Sequence, residues 1–538
     1  MTEQTNTTRA RNGADAMVAQ LRHEGIEVIF GLPGDQLMVA LDSLYDEPGI
    51  RYITTRHEQG TTYMADGYAR VGNRPGTAMV VPGVGVYNAA GGLATAFACS
   101  SPVLLLAGQV NRHGINKDLG LLHDVNDQLD IVRPITKYAE RVLDADRIPA
   151  ALREAFRQMA TGRPRPTEIE IPPETFADPT DAPVVEPVAV QPETPDPELI
   201  SRAAALLAGA ANPLIIAGGG VVLGNAAAEL VDVAEYVQAA VITTREGKGS
   251  IDDRNPLSVG TMWVNRRLRP VLDAADVVLA IGTRLQGFGF PASTRIIHLD
   301  ADPSELGRNA PIEIALAGDA RATLSLLHKA LAAAGRPSAS RAEERRAQRE
   351  STREELRKIG PQAALVDALR AAIPEHAIVV PDTTTVGYMS HMYMPVYEPR
   401  TYVSSSYMGT LGFAFPTALG AKVAAPDRPV VALVGDGGFL FAATELATAV
   451  QHDIATVTVV FDDGAYGNSN RDQRERFGGR ELGTLLRNPD WVKFAESFGA
   501  SATKADGLDQ LGDAIRDAAT ATGPVVIAYK MDRLPSPF

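Results

Sequence analysis

The sequence predicts an α/β protein built as three doubly wound parallel-sheet domains, and three observations carry that expectation. Short β-branched runs that close on glycine recur along the chain, separated by stretches with apolar residues at helical spacing, the alternation that builds parallel sheets covered by helices. The length of 538 residues is that of roughly three domains, each able to bury a core. Two stretches of different composition divide it: Ile171 to Leu199, rich in proline and acid like a linker, and Ser338 to Lys358, rich in charge and readable as an exposed helix. The expected domains are 1–175, 195–335 and 360–538.

Composition narrows the function classes. Hydrophobic residues make up 45% and charged residues 22%, an ordinary balance for a globular protein. A net charge of −14 without a basic stripe argues against a nucleic-acid partner. The sole cysteine, Cys99, excludes an internal disulfide, and its apolar neighbours from Ala96 to Leu106 make it a buried inert thiol rather than a nucleophile. The opening residues lack a signal peptide's apolar core, and no run of 18 apolar residues occurs, so a cytoplasmic protein without membrane attachment is expected.

In the first domain, strand Ile26 to Phe30 runs into Gly31, Pro33 and Gly34 and then a helix carrying Leu37, Val39, Leu41 and Leu44. Strand Ile50 to Thr54 leads to Arg56, His57 and Glu58 and the helix Gln59 to Arg70. Thr77 to Val81 opens into Pro82, Gly83, Val84 and Gly85 ahead of a small-residue helix with Asn88, and Val103 to Leu106 ends in Gly108 and Gln109. Glu58 stands just past the carboxyl end of its strand, where open α/β sheets bind ligands, although an acid there can equally serve the helix dipole. His113 and His123 lie in a polar loop and are either proton relays or simply solvated.

The middle domain repeats the pattern: Pro213 to Ala217 runs into three glycines, Val277 to Ile281 into Gly282, Thr283 and Arg284, and Arg295 to Leu299 into Asp300. The third opens with Val379 and Val380 leading to Asp382 and three threonines, whose hydroxyls either meet a phosphate or belong to an ordinary polar loop. Its Val430 to Asn470 stretch is a βαβ unit with Gly435, Asp436, Gly437 and Gly438 at the first turn and Asp462 and Asp463 after the second strand. A right-handed crossover puts both strand ends on one edge and brings Asp436 and Asp463 together. Two carboxylates above a glycine turn want a cation, and the turn's free N–H groups want an anion; Mg²⁺ with a phosphate satisfies both, whereas the plain alternative is a tight turn and a helix cap.

These segments resemble the thiamine diphosphate enzymes of the acetolactate synthase and benzoylformate decarboxylase type. The likeness rests on the GDG turn followed at the family's distance by an acidic pair where relatives usually have two asparagines, on RHEQGTTYMADGYAR around Glu58, on RPITK within Asp118 to Val142, and on SSYMGTLGFAFPTALGA from Ser405 to Ala421. It makes the three domains pyrimidine-binding, central and diphosphate-binding, and it assigns Mg²⁺ to Asp436, Asp463 and the main-chain oxygen of Ala465. Glu58 becomes the catalytic acid that sets the pyrimidine tautomer, with Gly34 and Asn88 beside the cofactor. Leu411 becomes the wedge that bends the cofactor and Gly409 the pyrimidine's acceptor. Thr384, Thr385, Gly435, Gly437, Gly438, Tyr466 and Gly467 join Asp436 around the diphosphate.

The same resemblance implies an acetolactate synthase-like carboligase that acts on 2-oxo acids, or aldehydes, through acyl-carbanion chemistry; the alternative is a decarboxylase or carbon–carbon lyase like benzoylformate decarboxylase. It also implies a homodimer or homotetramer with the site at a dimer interface; His113 and His123 stand beside it as candidate catalytic proton carriers on their own position, not on the resemblance. Two departures matter. His123 and Asp124 stand where acetolactate synthases usually show a Phe-Gln-Glu element, so pyruvate is not implied as donor, and TRLQGFGF at Thr283 to Phe290 departs from the flavin-binding version, so FAD is not expected.

Overall fold

The computed structural model describes residues 10–335 and 337–537, so the first nine residues of the expected leaderless start, and Phe538 at the end of the third expected domain, lie outside the described residues. The first set of runs forms β1 (Val28–Gly31), β2 (Arg51–Thr54), β3 (Gly76–Val80), β4 (Val103–Gly108), β5 (Tyr138–Arg141) and β6 (Thr167–Ile171), in the order β2-β1-β3-β4-β6-β5. The second forms β7 (Pro213–Ala217), β8 (Ala240–Thr244), β9 (Ser258–Met262), β10 (Val277–Ile281), β11 (Arg295–Asp300) and β12 (Ile314–Ala317). Their order, β12-β11-β10-β7-β8-β9, is the 3-2-1-4-5-6 winding of an open sheet. The third comprises β13 (Ile378–Pro381), β14 (Val430–Gly435), β15 (Val457–Asp462), β16 (Ser501–Ala505) and β17 (Val525–Lys530), ordered β13-β14-β15-β17-β16.

Strand neighbours pair in parallel in all three sheets, as the alternating pattern predicts. A parallel bridge joins Val379 of β13 to Tyr402, and counting Tyr402 as a further edge the third sheet repeats the order of the first. The inner strands β3, β4, β7 and β10 are buried along their whole length, which is why they read as unbroken apolar runs rather than as alternation.

The chain folds as two compact units: residues to Ala69 with Arg74–Val190 form the smaller, and Arg70–Asn73 with the chain from Gln191 the larger. The second and third sheets therefore share one unit. Within it, Lys248 donates to the Met394 carbonyl at 2.8 Å, and the Asp253 carboxylate accepts the Val396 N–H at 2.8 Å.

The charged stretch after the second sheet corrects one expectation. It is helical from Ala342 to Arg357, but Arg345, Thr352 and Leu356 fall on one face and are buried against the larger unit. Arg345 reaches Asn212 Oδ1 at 3.2 Å. A buried stripe in which Leu356 is the only apolar member beside an arginine and a threonine carries little hydropathy signal, so the helix reads as exposed from sequence.

Glu168 on β6 is buried, and neither of its carboxylate oxygens meets a hydrogen-bond partner among the described residues. Its neighbour Glu170 accepts from Gln128 at 2.8 Å and Gln109 at 3.1 Å and pairs with Arg141. Burial first, and then the adjacent Glu170, push the Glu168 carboxyl well above its ordinary value of 4.5. The folded chain thus keeps a proton that the unfolded chain releases, and stability falls with rising pH across that window by up to about 1.4 kcal/mol per pH unit. Glu168→Gln is expected to flatten the decline in melting temperature between mildly acidic and alkaline buffer; parallel pH profiles for the two proteins would refute the buried proton.

Candidate active site

In the third sheet the strand order reverses between β13 and β14, the place where an open α/β sheet leaves a crevice. A cavity of about 410 Å³ opens there, at the carboxyl ends of β13, β14 and β15. Thr384, Thr385, Leu411, Gly435, Asp436, Gly437, Gly438, Asp463, Ala465, Tyr466 and Gly467 all line it, so these eleven residues singled out from sequence converge on one space. Helix Thr385–Tyr393 starts at the cavity, and its N-cap Thr384 accepts the Gly387 N–H at 2.9 Å. That hydroxyl keeps its own proton to donate, and the helix start adds backbone N–H groups, so this wall suits an anion.

The glycines are there for clearance. A Cβ on Gly437 would stand 2.5 Å from Tyr466 Cε1, and one on Gly435 would stand 3.0 Å from Thr384 Cγ2. On Gly467 it would fall 2.7 Å from Asp463 Oδ2. Side chains at these positions would fill the cavity walls against one another.

Three carboxylates stand at the ends of β14 and β15, two of them lining the cavity, and are treated differently. Asp462 is buried and accepts from Trp491 Nε1 at 2.9 Å, Asn488 Nδ2 at 2.9 Å, Lys530 Nζ at 3.0 Å and Gly464 N at 3.1 Å. Burial alone would raise it, but the bonds from Trp491, Lys530 and Asn488 hold it below the ordinary carboxylate value. Asp436 accepts from Asn488 at 2.6 Å, Gly437 N at 2.8 Å and Gly464 N at 2.9 Å, and burial nonetheless raises it. Asp463 accepts the Ala465 N–H at 3.2 Å, and burial, then the Asp436 charge, push it up to about 6.

No ion pair joins Asp436 or Asp463 to a basic side chain among the described residues. A buried and a part-buried carboxylate that repel each other fit a hard divalent cation, although no group of three His, Cys, Asp or Glu side chains is placed to hold a metal among the described residues, so any further donors come from carbonyl, water or ligand oxygens. The acidic pair thus divides its work: the first member is a structural acceptor neutralised by Lys530, and the second faces the cavity.

Asp382 was legible as a strand-end acid but had no role in the sequence reading. Its buried carboxylate accepts Thr383 N at 2.8 Å and Gly412 N at 3.1 Å, tying the end of β13 to the loop that carries Leu411. Burial pushes it up to about 7 against those N–H groups. Gly438 leaves room for it, because a Cβ there would stand 2.9 Å from Asp382 Oδ2. Gly409 sits two residues before Leu411 in left-handed backbone, φ 61°, and does not line the cavity. Asn488, which bridges Asp436 and Asp462, gave no sequence signal, since only folding brings it to residues 52 and 26 positions away.

In the smaller unit, Glu58 opens helix Glu58–Gly72 after β2, is buried, and accepts Asn88 Nδ2 at 2.9 Å. Gly34 follows β1 and packs against the end of β3, where a Cβ would meet Val81 Cγ1 at 2.2 Å. His123 has left-handed backbone, φ 67°, and its Nδ1 lies 3.2 Å from Gln36 Oε1, while its carbonyl packs on Gly83. It therefore sits over the β1–β3 edge of the first sheet, whereas His113 is exposed.

Three domain models for thiamine pyrophosphate enzymes match the chain in order: the N-terminal TPP binding domain at residues 11–132, the central domain at 200–327 and the C-terminal TPP binding domain at 382–529. A probable acetolactate synthase large subunit of Methanocaldococcus jannaschii is 34% identical over 97% of this chain and 92% of its own length. The chain belongs to the thiamine pyrophosphate enzyme family. It is thus a thiamine diphosphate-dependent enzyme, and its three parallel-sheet regions correspond to the three matched domains. Other members differ in printed activity. A probable 2-ketoarginine decarboxylase of Pseudomonas aeruginosa is 34% identical over 96% of this chain and 93% of its own length, and a sulfoacetaldehyde acetyltransferase of Castellaniella defragrans 30% identical over 94% and 90%.

Asp462→Asn replaces an acceptor of four donors with a group that must point an NH₂ at some of them. We expect the thiamine pyrophosphate enzyme variant to lose about 1–3 kcal/mol in reversible denaturant unfolding; unchanged stability would remove Asp462 from its structural role.

Proposed function

We propose that this chain is a carboligase of the acetolactate synthase kind, which joins the acyl part of a decarboxylated 2-oxo acid to a second carbonyl compound. The observation that carries the reading is the cavity at the β13–β15 ends, lined by a helix start with its threonine hydroxyls and by two carboxylates that form no ion pair with a basic side chain among the described residues, on a chain similar over most of its length to proteins named acetolactate synthase. Bound thiamine diphosphate supplies a nucleophilic carbon and an electron sink.

In this reading Asp436, Asp463 and the Ala465 carbonyl would hold Mg²⁺, which would neutralise the charge of the diphosphate. Thr384, Thr385 and the N–H of Gly438 bind diphosphate oxygens, with Gly435 and Gly437 giving them room. Leu411 would supply the apolar wedge against the cofactor, Tyr466 and Gly467 would line its place, and the Gly409 carbonyl would accept from the pyrimidine beyond the cavity. Glu58, steadied by Asn88, holds a proton at the pyrimidine ring, and Gly34 gives that ring room. The reading includes a homodimer or homotetramer in which Glu58 of one chain serves the diphosphate site of another, domains bounded at 1–175, 195–335 and 360–538, and a cytoplasmic setting; FAD forms no part of it.

A simple decarboxylase is the second reading, favoured by the relative named 2-ketoarginine decarboxylase at the same identity. There His123, rather than His113, is the better-placed proton donor, because it lies at a strand edge and touches Gln36. Incubation with thiamine diphosphate, Mg²⁺ and a panel of 2-oxo acids, with CO₂ and products followed by mass spectrometry, separates the two. A longer coupled product supports the carboligase, free aldehyde the decarboxylase, and absence of CO₂ release removes both.

Two variants test the machinery. Glu58→Gln is expected to retain cofactor affinity and lose turnover by orders of magnitude; near-normal turnover would take Glu58 out of the mechanism. Asp436→Ala is expected to abolish Mg²⁺-dependent cofactor binding measured by calorimetry, and an unaltered affinity would overturn the metal assignment.

A further inference from the structure

A second cavity, of about 310 Å³, lies within the larger unit between β9, helix Ala342–Arg357 and the end of helix Thr385–Tyr393. Its volume falls at the lower end of small-molecule sites, which span roughly 300–1,000 Å³. Lys248, Arg254, Arg349 and Arg353 line it, against Asp253 and Glu350.

The two acids do little to cancel this charge. Asp253 spends one oxygen on Ser258 Oγ at 2.8 Å and the other on Val396 N at 2.8 Å. Glu350 is half exposed, with its nearest guanidinium nitrogens at 3.8 Å on Arg349 and 4.0 Å on Arg357. Arg254 is paired at the rim with Asp252 and Glu375.

The remaining cations are oriented chiefly by neutral groups. Lys248, only 3% exposed, donates to Met394 O at 2.8 Å and Thr261 Oγ1 at 3.3 Å, and no carboxylate lies within ion-pair distance of it among the described residues. Arg349 donates to the carbonyls of Asp253 and Asn255 at 2.8 and 3.0 Å, and Arg353 to Tyr393 O at 3.1 Å, with Asp367 at 3.7 Å on its outer side. Carbonyls fix where these groups point without neutralising them. Burial drives Lys248 down to about 8 against the pull of Asp253, and Arg353 adds to that fall. Charge held in this way beside open space is what an anion would complete.

We propose that this cavity binds a small organic anion bearing a carboxylate or phosphate group, held between Lys248 and Arg353. The site does not rest on the reaction proposed above. It is tested on holoenzyme saturated with thiamine diphosphate and Mg²⁺, so that the first cavity is filled, by calorimetry with inorganic phosphate and separately with malonate at constant ionic strength. Saturable binding of at least one probe is expected, weakened about tenfold or more in Lys248→Met and in Arg353→Gln. A response to phosphate alone marks a phosphate ester as the class of ligand, and to malonate alone an organic acid. Lys248 also holds the Met394 carbonyl, so Lys248→Met can fail to fold; Arg353→Gln, on a helix face, then decides. No saturable binding of either probe, or unchanged affinity in folded Arg353→Gln, overturns the site.

Discussion

A parallel strand buried on both faces can carry polar chemistry only where it stops. That constraint arranges the molecule: the inner strands of all three sheets are apolar along their length, and Asp382, Asp436, Asp462 and Asp463 stand at or just past the carboxyl ends of β13, β14 and β15. Strand-order reversal then opens the third sheet between β13 and β14, and the helix that leaves each strand points its N-terminus into the gap. Glycine turns keep the gap clear. Glu168 and Glu170 are the exception, carboxyls inside a strand, and one is paired with Arg141 while burial holds the other well above its ordinary carboxyl value.

Electrostatic roles at the site follow from who answers each charge. Asp462 is answered by Lys530, Trp491 and Asn488 and becomes part of the framework. Asp463, one residue on, has a backbone N–H and a repelling neighbour, so it is left to meet a ligand. The departure from the family's usual asparagine pair is thus absorbed at its first member by a lysine from β17. Asp382 works by shape: one carboxylate sets the distance between the β13 end, the Leu411 loop and Gly438. The reverse holds at the second cavity, where a buried lysine and a part-buried arginine are oriented chiefly by carbonyls rather than by acids.

The alternation of strand and helix, the parallel sheets, and the glycine turn and acids at the ends of β14 and β15 were legible in the sequence because each depends on short-range pattern: periodicity, glycine at a turn, an acid after an apolar run; Leu411, Ala465, Tyr466 and Gly467 were singled out by family resemblance alone. Burial of Arg345 was not, since its helix face carries no apolar stripe. Nor was the work of Asn488, whose partners lie far off in the chain.

By itself, then, the sequence determined the fold class, the family and the edge of the third sheet at which Asp436 and Asp463 stand, since strand, turn and helix are written locally. Tertiary structure alone decided which acid is neutralised, that Asp382 braces the Leu411 loop, and that Lys248 and Arg353 face one cavity. The physical reason is that charge balance and burial are properties of neighbours in space, and the neighbours that matter, Lys530 for Asp462 and Met394 for Lys248, are 68 and 146 residues away.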